Sequence, residues 1–219
     1  AVRSSKTPGA LWAVMIFATS VSYALDSDPR APALASVLPL VVFWAARHLV
    51  YLVVRTPDPG INPERFRFSS LYRVFVPQAL LAWIVSLPLL GAVTSIHLSA
   101  PLFHAALVLV GTGVLFEGIA HGLARLRSGK ARPGTFMDDA LARIERHPNY
   151  LGEAIIWWGF WCFAGAAGAW WTLPSPLVMT RLALWASRLR PENDSGKARP
   201  GYADYVLKTN AFFPARRRN

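Results

Sequence analysis

Long apolar segments recur along the chain and leave no stretch in which a separate soluble core could form. A helix that crosses about 30 Å of hydrocarbon needs about 20 mainly apolar residues. Six segments meet or approach this requirement: 9–25, 33–54, 74–96, 100–123, 154–173 and 176–189. Only 16% of the 219 residues are charged, whereas soluble domains carry about 25%. The sequence therefore predicts an all-α integral membrane protein, a single polytopic domain over residues 1–219 with about six (six to seven) transmembrane helices.

Short segments rich in proline separate several of the predicted helices. Three of these breaks are 26–29 (DSDP), 57–60 (PDPG) and 173–176 (LPSP). Proline and glycine favour turns because they remove a helix donor or pre-set turn dihedral angles. The first apolar segment also resembles a signal peptide, since Arg3 and Lys6 precede it. We interpret it as a genuine first helix because the topology derived below requires it.

Positive charges alternate between the two predicted sides of the membrane. The N-terminus, the loops after the second and fourth helices and the C-terminal tail are rich in Lys and Arg, whereas the other loops hold only Arg30. Cytoplasmic loops carry an excess of Lys and Arg, so both termini are predicted to be cytoplasmic. The net charge of +11 would by itself suggest a nucleic-acid partner. We predict no such partner, because the basic residues lie in short loops between apolar segments.

Ionisable side chains at membrane depth mark functional sites by default, because they are costly in hydrocarbon. Those in or beside the predicted spans are Arg47, His48, Glu117, His121, Glu153 and Arg181. For Arg181, a functional role and a long side chain that reaches the membrane surface both stay open. Arg47 lies deeper in its span, which favours a buried partner or a ligand, and Tyr51 lies on the same helical face.

The densest polar segment is RHPNYLGE at 146–153, followed by WWG at 157–159. Pro148 suits the first turn of a helix, where its missing N–H has no cost. The positive end of that helix dipole would attract a phosphate or pyrophosphate. Asn149 and Glu153 lie four residues apart on one helical face, where they could bind ribose hydroxyls or a carboxamide. The alternative is a helix cap with interfacial aromatic residues.

This segment resembles the signature of bacterial membrane proteins related to the C-terminal domain of steroid 5-alpha-reductases. Further segments similar to that family are 78–88 (QALLAWIVSLP), Phe116-Glu117, Met137-Asp138 and 199–214. The resemblance covers about residues 33–214. The pattern Arg-His-Pro-x-Tyr alone is less specific, because membrane methyltransferases that act on prenylcysteine or phospholipid share it.

The resemblance implies an NADPH-dependent membrane oxidoreductase of the 3-oxo-5-alpha-steroid 4-dehydrogenase type. Such an enzyme would transfer hydride to the C=C bond of an enone-like lipid, such as a 3-oxo-Δ4 steroid, that enters from the bilayer. The cofactor site would face the cytoplasm of a bacterial inner membrane. Asn149 and Glu153 would bind the nicotinamide-ribose end. Tyr202 or Tyr205, with Arg190, would line the phosphate and adenosine side, and Arg127 or Arg132 would hold the 2′-phosphate. Further candidate cofactor contacts are Glu117 and, at the helix start, Arg146 and His147. No metal site is predicted.

Reduction of an enone also needs a hydrogen-bond donor that polarises the carbonyl and a proton for the α-carbon. Candidate donors are Tyr51, Gln78, His48 and Tyr150. Tyrosine suits this role because its unperturbed pKa of about 10 keeps it protonated at neutral pH. The sequence does not choose among these residues, and Gln78 could instead bridge two helices.

The chain departs from the family pattern where His121 and Leu123 replace the usual Asp and Gln. Two alternatives therefore stay open. The first is an S-adenosylmethionine-dependent methyltransferase of the isoprenylcysteine or phospholipid type, which would carry a Glu-Glu pair where only Glu192 is present. The second is a non-catalytic membrane scaffold. We favour the reductase because Gly-Glu followed by Trp-Trp-Gly matches that family.

Overall fold

A computed structural model describes residues 7–55, 71–130, 148–189, 209–210 and 212. The described residues form six α-helices and contain no strand: α1 (Thr7–Asp26), α2 (Leu34–Arg55), α3 (Val76–Val93), α4 (Ala100–Lys130), α5 (Pro148–Ala166) and α6 (Pro174–Leu189). A π-helical turn, Leu71–Phe75, precedes α3, and a 3₁₀ turn, Trp170–Thr172, precedes α6. The predicted all-α class is confirmed for this part of the chain.

Two of the helices in the described ranges are long and apolar enough to cross a membrane. The apolar spans are Val76–Val93 in α3 and Ala100–Ala120 in α4. Shorter apolar stretches occupy Leu11–Asp26 in α1 and Leu34–Val50 in α2. Length and composition thus support two of the six predicted spans. The six-span topology, the cytoplasmic termini and the single domain stay predictions.

Most helix ends lie close to the predicted breaks. The helix α1 ends at Asp26, where the DSDP segment begins, and α5 begins at Pro148 as predicted. The helix α4 continues beyond the predicted Leu123 to Lys130. The intervening residues include Ala, Leu and Arg, which are good helix formers, so the helix extends past the apolar segment.

The predicted end of the fifth helix at Leu173 is wrong, because a glycine turn ends α5 at Ala166. Gly168 has a φ of 83°, a left-handed conformation that glycine adopts without steric cost. Ala169 N donates to Ala164 O at 2.8 Å, and Gly168 N donates to Gly165 O at 3.0 Å. This pair of hydrogen bonds is the Schellman motif that ends many helices. Consequently α6 begins two residues earlier than predicted, at Pro174.

The chain divides into two compact units. Unit 1 comprises Ala1–Ala106 and Phe160–Ser175, and unit 2 comprises Leu107–Gly159 and Pro176–Asn219. In unit 1, α1 packs against α2 and α3. Within unit 2, α4 and α5 pack against each other through glycine residues. Each unit therefore has its own helix packing.

Hydroxyl groups connect the helices of unit 1. The Tyr23 hydroxyl of α1 and Ser86 Oγ of α3 lie 3.1 Å apart and share a hydrogen bond. Ser175 Oγ, at the start of α6, donates to Val85 O at 2.6 Å. Both serines are fully buried, where a hydroxyl without a partner would be destabilising. These contacts therefore stabilise the packing of α3 against its neighbours.

Candidate functional site

Three glycines bring α4 and α5 into backbone contact in unit 2. A Cβ atom at Gly113 would lie 2.8 Å from Gly152 O and 2.9 Å from Ile156 N. A Cβ atom at Gly159 would lie 2.9 Å from Val110 N. Real Cβ atoms essentially never approach closer than 3.0 Å, so a larger residue would separate the helices. Small residues allow this close approach between membrane helices.

Two buried carboxylates flank this glycine contact. Glu117 lies one turn after Gly113 and is 4% exposed, while Glu153 follows Gly152 and is 7% exposed. A Cβ atom at Gly152 would lie 2.9 Å from Glu117 Cβ, so the two helices touch where they carry these side chains. Charged residues are almost never buried unless they have partners. Because two of them lie at one helix contact, this contact is the candidate functional site.

Tryptophan side chains hold this part of α5 in place. Trp157 lies one helical turn after Glu153 on α5, and its Nε1 atom donates to Glu153 Oε1 at 3.1 Å. Trp158 Nε1 donates to Thr180 Oγ1 at 3.1 Å and so connects α5 to α6. The hydrogen bond from Trp157 thus restricts the orientation of the Glu153 carboxylate, and the hydrogen bond from Trp158 connects α5 to α6.

The first turn of α5 adds an amide and a phenol to the site. Asn149 and Tyr150 follow Pro148, and both are half-buried. Asn149 lies four residues before Glu153, which places the two on one helical face. The N–H groups at the start of a helix also attract anions. Carboxylates, an amide, a phenol and a helix N-terminus therefore occur together in unit 2.

Phe212 packs against the same turns of α5. Phe212 is 4% exposed and forms a buried cluster with Ala154 and Ala183, and Tyr150 and Leu184 pack against this cluster. Sequence reasoning did not identify Phe212 as a site residue. The signal was present, because Phe212 lies within the closing segment that resembles the family.

Unit 1 contains the other candidate donors that the structure describes. Gln78 is half-buried on α3, and Arg47 and His48 are half-buried on α2. The His48 ring lies 5.5 Å from the Trp44 ring, at an interplanar angle of 30°. The structure therefore assigns the predicted donors to different units: Gln78 and His48 to unit 1, and Tyr150 to unit 2.

Several predicted residues lie outside the part of the chain that is described. Tyr51 belongs to α2, and Arg127 and His121 belong to α4, but their side chains are outside the described set. The predicted cofactor contacts wholly outside it are Arg132, Arg146, His147, Arg190, Tyr202 and Tyr205. Arg181 is exposed on α6. Within the described ranges, no three His, Cys, Asp or Glu side chains form a group suited to a metal ion.

Comparison with known families matches residues 2–209 to DUF1295, which is described as a protein family of unknown function. The chain belongs to this family. The DUF1295 proteins are a steroid 5-alpha-reductase-like group, so the resemblance predicted from the motifs is confirmed at this level. The match begins earlier than the predicted residue 33 and includes α1. Comparisons with curated proteins and with solved structures gave no significant match.

Proposed function

We propose that this DUF1295 protein is an NADPH-dependent membrane reductase of the steroid 5-alpha-reductase type, acting on the C=C bond of an enone-like lipid. The proposal rests on one observation above others. Glu117 and Glu153 are buried at a single backbone contact in a member of a steroid 5-alpha-reductase-like family. The family suggests the class of reaction by analogy, and the buried side chains supply suitable binding chemistry.

The donor and acceptor groups of this site fit a reduced nicotinamide cofactor. Carboxylates accept hydrogen bonds from ribose hydroxyls and from a carboxamide, and the Asn149 amide can both donate and accept. The N-terminus of α5 suits a phosphate group, and Arg146 and His147 directly precede it in the sequence. When bound, NADPH would supply the hydride. The side chains of Glu117, Asn149 and Glu153 would hold and orient it.

Tyr150 is the donor that we favour for the substrate carbonyl. It lies one residue after Asn149 and three residues before Glu153, so it belongs to the same end of α5. Its phenol would donate a hydrogen bond to the carbonyl oxygen and stabilise the negative charge that develops there. Gln78 and His48 belong to unit 1, and with Tyr51 they remain alternatives for this role.

We also propose that six helices cross a bacterial inner membrane, with both termini and the cofactor site on the cytoplasmic side. The spans in α3 and α4 support insertion into a membrane. The asymmetry of Lys and Arg between alternate loops supports the orientation. A lipid or steroid substrate would then reach the site from the bilayer, without any nucleic-acid partner.

Cofactor titration tests the reductase proposal. Detergent-purified protein is titrated with NADPH, NADH and S-adenosylmethionine by calorimetry. We expect submillimolar binding of NADPH, weakened about tenfold or more in Glu153→Gln. Hydrogen bonds to charged groups contribute about 1.5–3 kcal/mol, and 1.4 kcal/mol corresponds to a factor of ten.

The matched control is Asp26→Asn, which neutralises an exposed carboxylate at the end of α1 and should bind NADPH like the wild type. Binding of S-adenosylmethionine alone would reject the reductase in favour of a methyltransferase. Absence of binding for all three compounds would favour the non-catalytic scaffold. Positive NADPH binding would be followed by a screen of lipid enones for NADPH consumption.

A further inference from the structure

The Thr209 hydroxyl, near the C-terminus, is buried without a hydrogen-bond partner among the described residues. Thr209 is 3% exposed, and no described residue provides a hydrogen-bond partner for its Oγ1 atom. The other buried hydroxyls of the described chain each donate to a backbone carbonyl; they are Ser20, Ser86, Thr172, Ser175 and Ser187. A buried hydroxyl that lacks a partner is destabilising. Thr209 is therefore a position where a group from outside the chain could bind favourably.

The location of Thr209 connects it to the candidate site. It lies three residues before Phe212, and three residues of extended chain span at most about 11 Å. Phe212 is buried against Ala154, with Tyr150 packed on the same cluster. The Thr209 Cα atom therefore lies within about 11 Å of that of Phe212, which packs against the turns of α5 that carry Tyr150 and Ala154.

We infer that Thr209 is a further cofactor-binding residue, whose hydroxyl donates a hydrogen bond to an oxygen atom of the dinucleotide bound at α5. This inference rests on the proposed function. A dinucleotide offers phosphate, ribose and carboxamide oxygens, all of which accept from a hydroxyl. Phe212 is the positioning residue, because its burial against α5 restricts where Thr209 can lie.

Two substitutions distinguish the effect of the Thr209 hydroxyl on NADPH affinity from the effect of the side-chain shape. Thr209→Val keeps the branched shape and removes the hydroxyl, whereas Thr209→Ser keeps the hydroxyl. Because the hydroxyl has no partner in the free protein, ligand-free Thr209→Val should unfold at the wild-type temperature or above it. The NADPH affinity of Thr209→Val should fall about fivefold, and Thr209→Ser should bind like the wild type.

Ser187→Ala is the matched control, since Ser187 is a buried hydroxyl of unit 2 that already donates to Leu184 O at 2.8 Å. It should lower the unfolding temperature without changing NADPH affinity. A lower unfolding temperature for ligand-free Thr209→Val would show that the hydroxyl has a partner within the protein, and would overturn the inference. Unchanged NADPH affinity in that variant would overturn it too, while leaving the reductase proposal intact. Absence of NADPH binding by the wild type would overturn both.

Discussion

The two units differ in the kind of polar side chain that they bury. Within the described ranges, the fully buried polar side chains of unit 1 are all hydroxyls that donate to carbonyls: Ser20, Ser86, Thr172 and Ser175. Unit 2 buries Glu117, Glu153 and the Thr209 hydroxyl, besides Ser187. A hydroxyl can be satisfied by a carbonyl of its own helix, whereas a buried carboxylate is costly unless side-chain donors reach it, as Trp157 Nε1 reaches Glu153. We therefore expect unit 2, rather than unit 1, to carry the binding site of the proposed function.

The largest effect is expected from Gly113→Ala, which tests whether the contact between α4 and α5 maintains the site. The added methyl would lie 2.8 Å from Gly152 O, so the two helices would have to separate. Overpacking of this kind costs about 1–3 kcal/mol. We expect a lower unfolding temperature, measured by fluorescence in detergent, together with weaker NADPH binding.

Two alanine substitutions serve as controls for this prediction. At Gly118 no described atom lies within 4 Å of an added Cβ, so Gly118→Ala should be neutral or stabilising, since alanine favours helix by about 1 kcal/mol. At Gly91 in unit 1 an added Cβ would lie 2.6 Å from Ala169 Cβ. Gly91→Ala should therefore destabilise the protein but preserve NADPH affinity below its unfolding temperature. Equal loss of affinity in Gly91→Ala and Gly113→Ala would contradict the division between the units.

A second test neutralises the other buried carboxylate. Glu117→Gln keeps the shape of the side chain and should weaken NADPH binding about tenfold, because a charged acceptor becomes a neutral one. Calorimetric titration measures the change, and Asp26→Asn again provides an exposed comparison. If the affinity stays at the wild-type value, Glu117 contributes to packing alone and the site is confined to α5.

The smallest effect is expected in unit 1. Ser175→Ala removes the 2.6 Å hydrogen bond to Val85 O, which we expect to cost about 1 kcal/mol. For a chain of this size the unfolding temperature should fall by about 2–4 °C, and NADPH affinity should not change. A weaker affinity in this variant would show that unit 1 contributes to binding.

Helix positions were predictable from sequence wherever a local signal marks the boundary. The DSDP segment and Pro148 mark the end of α1 and the start of α5, because proline and short polar residues act on their own backbone. The end of α5 was predicted incorrectly, because the composition remains apolar through Trp170 to Leu173. The deciding residue was Gly168, whose left-handed conformation ends the helix within the apolar segment.

The site was predictable only in part. Glu117, Asn149 and Glu153 stood out as polar residues in or beside apolar spans, and the structure places all three in unit 2. The sequence signal for Thr209 and Phe212 was only their place in the closing segment 199–214, because the burial of Phe212 depends on Ala154 and Ala183, which are distant in sequence. The contact of Gly113 with α5 could not be predicted from the sequence either. Its one local sign is the four-residue spacing to Glu117, which places both on one helical face.

The glycine contact between α4 and α5 also affects how the protein can diversify. At Gly113, Gly152 and Gly159 the helices meet through main-chain atoms. These glycines therefore cannot be replaced by larger residues without moving the helices apart. In the proposed function, substitutions elsewhere on α4 and α5 would alter the shape and polarity of the lipid-binding cavity without changing the spacing of the two backbones. If relatives act on different lipids, the proposed function predicts that they retain the same arrangement of acidic residues inside a variable cavity.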